Sequence, residues 1–172
     1  MSRCNNEACL SVHRVTLLPD PHVCRERTWI PFINDELGAS DPETVVVGHS
    51  SGAVAAMRLA ERQKLKGIVL VAGYDSDLGD ANERRSGYFD RPFDWAAIRD
   101  NCGFVAAVGG RLDDLVDIEI QRRVACECLG LEVGKVGAEW LELPQRDHFF
   151  TPPFRELVEL LERNVSALSS PP

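Results

Sequence analysis

A chain of 172 residues is long enough to close one core around a central sheet, so a single domain over residues 1–172 is expected. Its hydrophobic content of 44% with 27% charged residues excludes a disordered or fibrous protein. A net charge of −8 and a pI near 5.0, with no basic stripe along the chain, make nucleic acid and membrane surfaces poor partners.

The opening MSRCNNEACL lacks the basic flank and apolar stretch of a secretory signal, and no apolar run reaches bilayer length, so a cytoplasmic location is expected. The six cysteines are scattered through a chain with enough core to do without staples, and they read as free thiols. Cys126 and Cys128 are the one close pair. Two positions apart on a helix they point to different sides, without a zinc-ligand cluster around them.

In chain order, Val12 to Leu18 is a candidate strand broken by Pro19-Asp20-Pro21, and Arg25 to Leu37 follows as a helix. The apolar run Val45-Val46-Val47 predicts a buried strand, and Gly52 to Lys64 a helix. Gly67 to Ala72 is the next strand, Phe93 to Asn101 a helix, Gly103 to Val108 a third strand and Asp117 to Leu129 a further helix. Ala138 to Leu143 and Pro153 to Asn164 close the chain as strand and helix, the latter with Leu157, Leu160 and Leu161 at helical spacing. Strands alternating with helices imply an α/β fold, a mostly parallel sheet covered on both faces.

Ligands of such sheets sit beyond the carboxyl ends of the strands. There, directly after Val47, stands Gly48-His49-Ser50-Ser51-Gly52, a G-x-S-x-G match followed at once by the helix former Ala53-Val54-Ala55-Ala56-Met57. The turn from strand to helix is too tight for side chains at the two Gly positions, and it lifts the Ser50 hydroxyl above the sheet. Chance alone would produce the three matched positions in about one chain in twenty of this length. The helix N-terminus and the Ser51 amide would face an oxygen bound beside Ser50, which is half of an oxyanion hole.

A serine hydroxyl needs a base. With this motif the partners follow in the order Ser, acid, His, which leaves His148, since His13 and His22 precede Ser50 and His49 lies within the turn. The acid must lie between them in a loop after a strand, where it can hold the imidazole tautomer. Asp113 and Asp114 both qualify, Asp117 is more distant, and one of these aspartates is needed as the cap of the helix starting near Asp117.

These residues and their surroundings resemble the retinoblastoma-binding protein 9 family of small serine hydrolases. The resemblance runs from about Leu17 to Leu161 and is most specific at Pro19-Asp20-Pro21, WIPF from Trp29, GHSSGAVAAMRLAE from Gly48 and SDLGDANERRSGYFDRPFDW from Ser76. It implies a compact α/β-hydrolase-type three-layer sandwich with Ser50 as nucleophile, His148 as base and Asp113 as acid. The family's Asp-Asp-Pro stands against Leu112-Asp113-Asp114 here, which leaves a one-residue shift to Asp114 open. The resemblance also implies an opening strand, Gly-rich loop and helix, and MSRCNNEACLSVHRV has no such unit, so the fold is expected to be N-terminally truncated with residues 1–16 atypical. That loop would give the second oxyanion donor, whose loss costs about a hundredfold to a thousandfold in rate.

Some members carry an L-x-C-x-E peptide that binds the retinoblastoma protein. This chain has Leu37-Gly38-Ala39-Ser40-Asp41 there, without the Cys or Glu, so that partner is not expected. The long loop from Tyr74 to Trp95 carries Tyr88, Phe89, Phe93 and Trp95, which either wall an acyl pocket or only pack the loop onto the sheet. The leading expectation is hydrolysis of small carboxylic esters or amides through an acyl-enzyme, a mechanism that requires neither metal nor organic cofactor. The alternatives are a catalytically impaired interaction protein on a hydrolase scaffold and a flavodoxin-like binding module. The latter lacks a phosphate-cradling loop after its first strand.

Overall fold

The computed structural model describes residues 18–169. Five parallel strands, β1 (Val45–His49), β2 (Gly67–Val71), β3 (Val105–Gly110), β4 (Glu132–Val133) and β5 (Ala138–Leu143), form one sheet in the order β1-β2-β3-β5-β4. Because side chains alternate across a strand, Ile68 and Leu70 enter one buried cluster while Val69 and Val71 enter another on the opposite face. The apolar-throughout strands of the sequence are thus strands with both faces covered.

The helices are α1 (Glu26–Asp35), α2 (Ser51–Ala60), α3 (Ala81–Arg84), α4 (Trp95–Asn101), α5 (Ile118–Arg122) and α6 (Arg155–Ser169). Residues of α1, α2, α4 and α5 pack with the first cluster, and Leu160 and Val165 of α6 with the second. Helix α2 sits directly on β1 and β2, and every residue from Ala53 to Ala60 is buried. Its four alanines let the helix backbone lie close to the sheet. Along β1 the second face is thinner: Val47 is 45% exposed, and a cavity of about 140 Å³ opens between it, Val71, Val108, Phe149 and Leu157.

Among the described residues the predicted strands and helices occur, with ends moved by a few residues. The stretch Asp117 to Leu129, expected as one α-helix, changes to a π-helical turn at Arg123–Cys128, where Leu129 N–H reaches back to Val124 O at 3.1 Å. This wider turn accompanies Arg123 reaching across to Asp75, Nη2 to Oδ1 at 2.5 Å. Helix α3 and strand β4 went unpredicted because four and two residues carry no periodicity. The α3 start is nevertheless capped, since Asp80 Oδ1 accepts from Asn82 N and Glu83 N. The expected strand Val12 to Leu18 and the atypical residues 1–16 lie outside the described residues, apart from Leu18.

The loop after β2 folds around Arg58 of α2, whose side chain is wholly buried. Its guanidinium donates to the carbonyls of Tyr88, Arg91 and Pro92, pairs with Glu61 Oε1 at 2.7 Å and lies 3.6 Å over the Phe93 ring. Five donors in a rigid fork suit such a cluster of carbonyls. Tyr88 and Phe93 are therefore core, Trp95 stacks on Phe93, and Phe89 stacks on Tyr74.

Candidate active site

Strand β1 delivers Ser50 into the turn to α2 with φ 55 and ψ −123, a left-handed conformation that costs a non-glycine residue about 1–3 kcal/mol. Its N–H donates to Val71 O at 2.9 Å, which ties the turn to β2. Of the two motif glycines only the first is sterically compelled: a Cβ on Gly48 would stand 2.1 Å from Gly52 O. A Cβ on Gly52 would meet nothing within 4 Å among the described residues, so the expected crowding at that position is not found.

Ser51 opens α2, which places its amide at the positive end of the helix beside Ser50. Its hydroxyl donates to Glu83 Oε1 at 2.9 Å and accepts from the Tyr74 hydroxyl at 3.0 Å. Burial pushes the Tyr74 phenol far above its usual pKa, so it stays a donor. The second Glu83 oxygen is buried without a partner among the described residues.

His148 lies in the loop after β5 and is 3% exposed. Its Nδ1 is 2.8 Å from Asp113 Oδ2 and 3.0 Å from Oδ1, and the Asp113 side chain is wholly buried. A carboxylate only accepts, so Nδ1 is the donor here, and in the neutral ring that leaves the lone pair on Nε2. Asp113 is fixed in turn by Leu115 N at 3.0 Å, Val116 N at 2.9 Å and Gln121 Nε2 at 3.0 Å. The neighbouring aspartates do other things. Asp114 is exposed and bonds to no described residue, and Asp117 caps α5 through Glu119 N at 2.8 Å.

No hydrogen bond joins Ser50 Oγ to His148 among the described residues; what brings them to the same rim is His49. Its ring lies 4.8 Å from that of His148, and its Nε2–H donates to the His148 carbonyl at 2.8 Å. Burial lowers the His49 pKa, which keeps the imidazole neutral. Reading His49 only as part of the turn missed this anchor. Gln121 was missed as well, since a glutamine inside a helix carries no sign of the carboxylate it holds. So was Gly110, where a Cβ would stand 2.5 Å from the carbonyls of both Arg146 and Asp147; its bareness lets the His148 loop close on the end of β3.

His22 is exposed and gives its carbonyl to Asn82 Nδ2, with no contact to these residues. His13 and the stretch expected to lack the second oxyanion donor fall outside the described residues. Among the described residues no helix is long and apolar enough to cross a membrane.

Over 145 residues, 84% of this chain and 73% of the other, the sequence is 39% identical to rat serine hydrolase RBBP9. The fold is shared with the ydeN gene product of B. subtilis, at a TM-score of 0.71 and 22% identity over 89% of this chain and 80% of that one. Mouse alpha/beta hydrolase domain-containing protein 10 is a more distant match, with a TM-score of 0.51 and 15% identity over 87% and 71% of the two chains. The family model for serine hydrolases matches residues 6–139, and with the sequence relationship it establishes that this chain belongs to the serine hydrolase family on an α/β-hydrolase fold.

Proposed function

We propose that Ser50, His148 and Asp113 act as a catalytic triad that hydrolyses small carboxylic esters or amides. The observation that carries this reading is the pairing of His148 Nδ1 with the buried Asp113 carboxylate at the rim where β1 presents a strained serine. With Nδ1 held by Asp113, the free Nε2 is the atom that takes the Ser50 proton as Oγ attacks the substrate carbonyl. The tetrahedral oxyanion faces the Ser51 amide at the α2 N-terminus. His148 then returns the proton to the leaving alcohol or amine, and water attacks the acyl-enzyme by the reverse proton path.

Two features support this division of labour. Three further donors fix the Asp113 carboxylate in place, where it faces the imidazolium that forms on His148. The Ser51 hydroxyl is occupied by Glu83 and Tyr74, which fixes the residue whose amide would serve the oxyanion.

The test is labelling by a fluorophosphonate, which reacts only with an activated serine. Wild-type protein should be labelled, and Ser50→Ala and His148→Ala should not. A wild-type sample that is folded by circular dichroism yet unlabelled would leave the scaffold without this chemistry and favour an interaction role.

A further inference from the structure

No basic stripe exists in the sequence, yet folding assembles one. Arg25 and Arg27 at the start of α1, Arg62 just beyond α2, and Arg85 and Arg91 in the loop after α3 line one cleft of about 710 Å³. The cleft shares no residue with the catalytic rim. Among the described residues its lining carboxylates are Glu26 and Asp90, and Glu61 approaches Arg91 at 3.8 Å from outside it, so five guanidinium groups face three acids on a chain whose net charge is −8.

The pairing inside the cleft is uneven. Glu26 takes both Arg62 at 2.7 Å and Arg91 at 2.8 Å, which leaves it fully engaged. Arg25, Arg27 and Arg85 form no ion pair among the described residues; Arg85 only donates its Nε to Ala81 O at 3.0 Å. Arg25 Nη1 is buried with no hydrogen-bond partner among the described residues. A buried donor left unmade is costly, and it marks a place where an acceptor is absent. Helix α1 also opens here. Arg25 is its N-cap residue and supplies no side-chain cap, although Glu26 N is already taken by Ser86 O at 2.9 Å, so the arginines and not the helix end carry the positive field.

From this geometry we infer that the cleft is a binding site for a small phosphate-bearing anion. Guanidinium forks match phosphate oxygens two at a time, and a phosphate carries more charge than a carboxylate to set against three unpaired arginines. The volume suits a small molecule. The long-range charge of the protein opposes extended polyanions such as nucleic acid.

Calorimetric titration of the whole chain with pyrophosphate, at constant ionic strength, tests the site. One saturable event is expected, weakening as sodium chloride rises. The exposed pair Arg27→Ala and Arg85→Ala together should weaken it by about tenfold or more, the effect of roughly 1.4 kcal/mol. Arg99→Ala, on α4 with its guanidinium on Cys128 O, should bind as wild type does. A parallel thermal melt should rise with pyrophosphate in wild type and less in the double variant. Absence of saturable binding, or a double variant that binds like wild type, would overturn the assignment. So would co-sedimentation with phosphatidylcholine vesicles carrying phosphatidic acid in the absence of any response to soluble pyrophosphate, since the occupant would then be a lipid surface.

Discussion

Replacing Asp113 by Asn probes the candidate site through the proton on His148. The two oxygens of Asp113 receive four kinds of donor: Leu115 N and Val116 N on Oδ1, Gln121 Nε2 on Oδ2, and His148 Nδ1 shared between them. An amide has only one acceptor. Two backbone N–H groups converge on the Oδ1 position, so the Asn oxygen must stay there and its NH₂ must take the Oδ2 position. There it faces Gln121 Nε2 and His148 Nδ1, and the histidine can meet a donor only by giving up its Nδ1 proton. The proton moves to Nε2, the atom that must be free to accept from Ser50. The expected loss in kcat is about ten-thousandfold. A further loss of about 1–3 kcal/mol in stability follows from the displaced charge-assisted bonds. Hydrolysis of p-nitrophenyl acetate gives the rate, and urea unfolding gives the stability. Asp114→Asn is the control, because that side chain is exposed and bonds to no described residue, and it should remain within about threefold of wild type. If Asp113→Asn stayed within tenfold while Asp114→Asn lost its activity, the reasoning from this hydrogen-bond set would be refuted.

Other perturbations address separate parts of the molecule. Ser50→Gly should unfold at higher urea than Ser50→Ala, by a net gain of about 1 kcal/mol, because glycine accepts φ 55 without strain and loses only part of that gain to its freer unfolded chain; equal midpoints would mean that the turn stores no strain. Gly110→Ala pushes a Cβ to 2.5 Å from the Arg146 and Asp147 carbonyls and must displace the His148 loop, so kcat should fall about a hundredfold while circular dichroism stays native; a kcat within about threefold of wild type would contradict it. For Glu139, burial pushes the carboxyl up, but hydrogen bonds from Arg163 and Asn164 and the Arg163 charge outweigh burial and hold the pKa below its ordinary value of 4.5. Below its unfolded pKa the unfolded chain binds the proton first, so this stabilisation is present above about pH 4.5 and is lost as pH falls through the lower folded value. Urea midpoints measured down that range should fall less steeply in Glu139→Gln than in wild type, and parallel slopes would count against the pair.

Much of the scaffold was legible because its signals are local. Unbroken apolar runs in β2 and β3 and the helical spacing of α6 follow from burial alone, and G-x-S-x-G is a contiguous motif whose first glycine is set by contact with a residue four positions on. The chain order of serine, acid and histidine pointed to His148. Elements of two and four residues were beyond reach, and a π-helical turn cannot be distinguished from an α-helix by apolar spacing.

By itself, then, the sequence determined the alternation of strands and helices, the place of Ser50 at a strand end, and the short list of partners for it. Tertiary structure closed the choice between Asp113 and Asp114 that the sequence had left open, because the two have the same chemistry and differ only in which way the backbone turns them. It also decided that His49 and Gln121 hold the site from outside and that five dispersed arginines share one cleft. The reason is common to all three: each depends on contacts between residues far apart in the chain, and their strength is set by distance and burial, neither of which a one-dimensional pattern encodes.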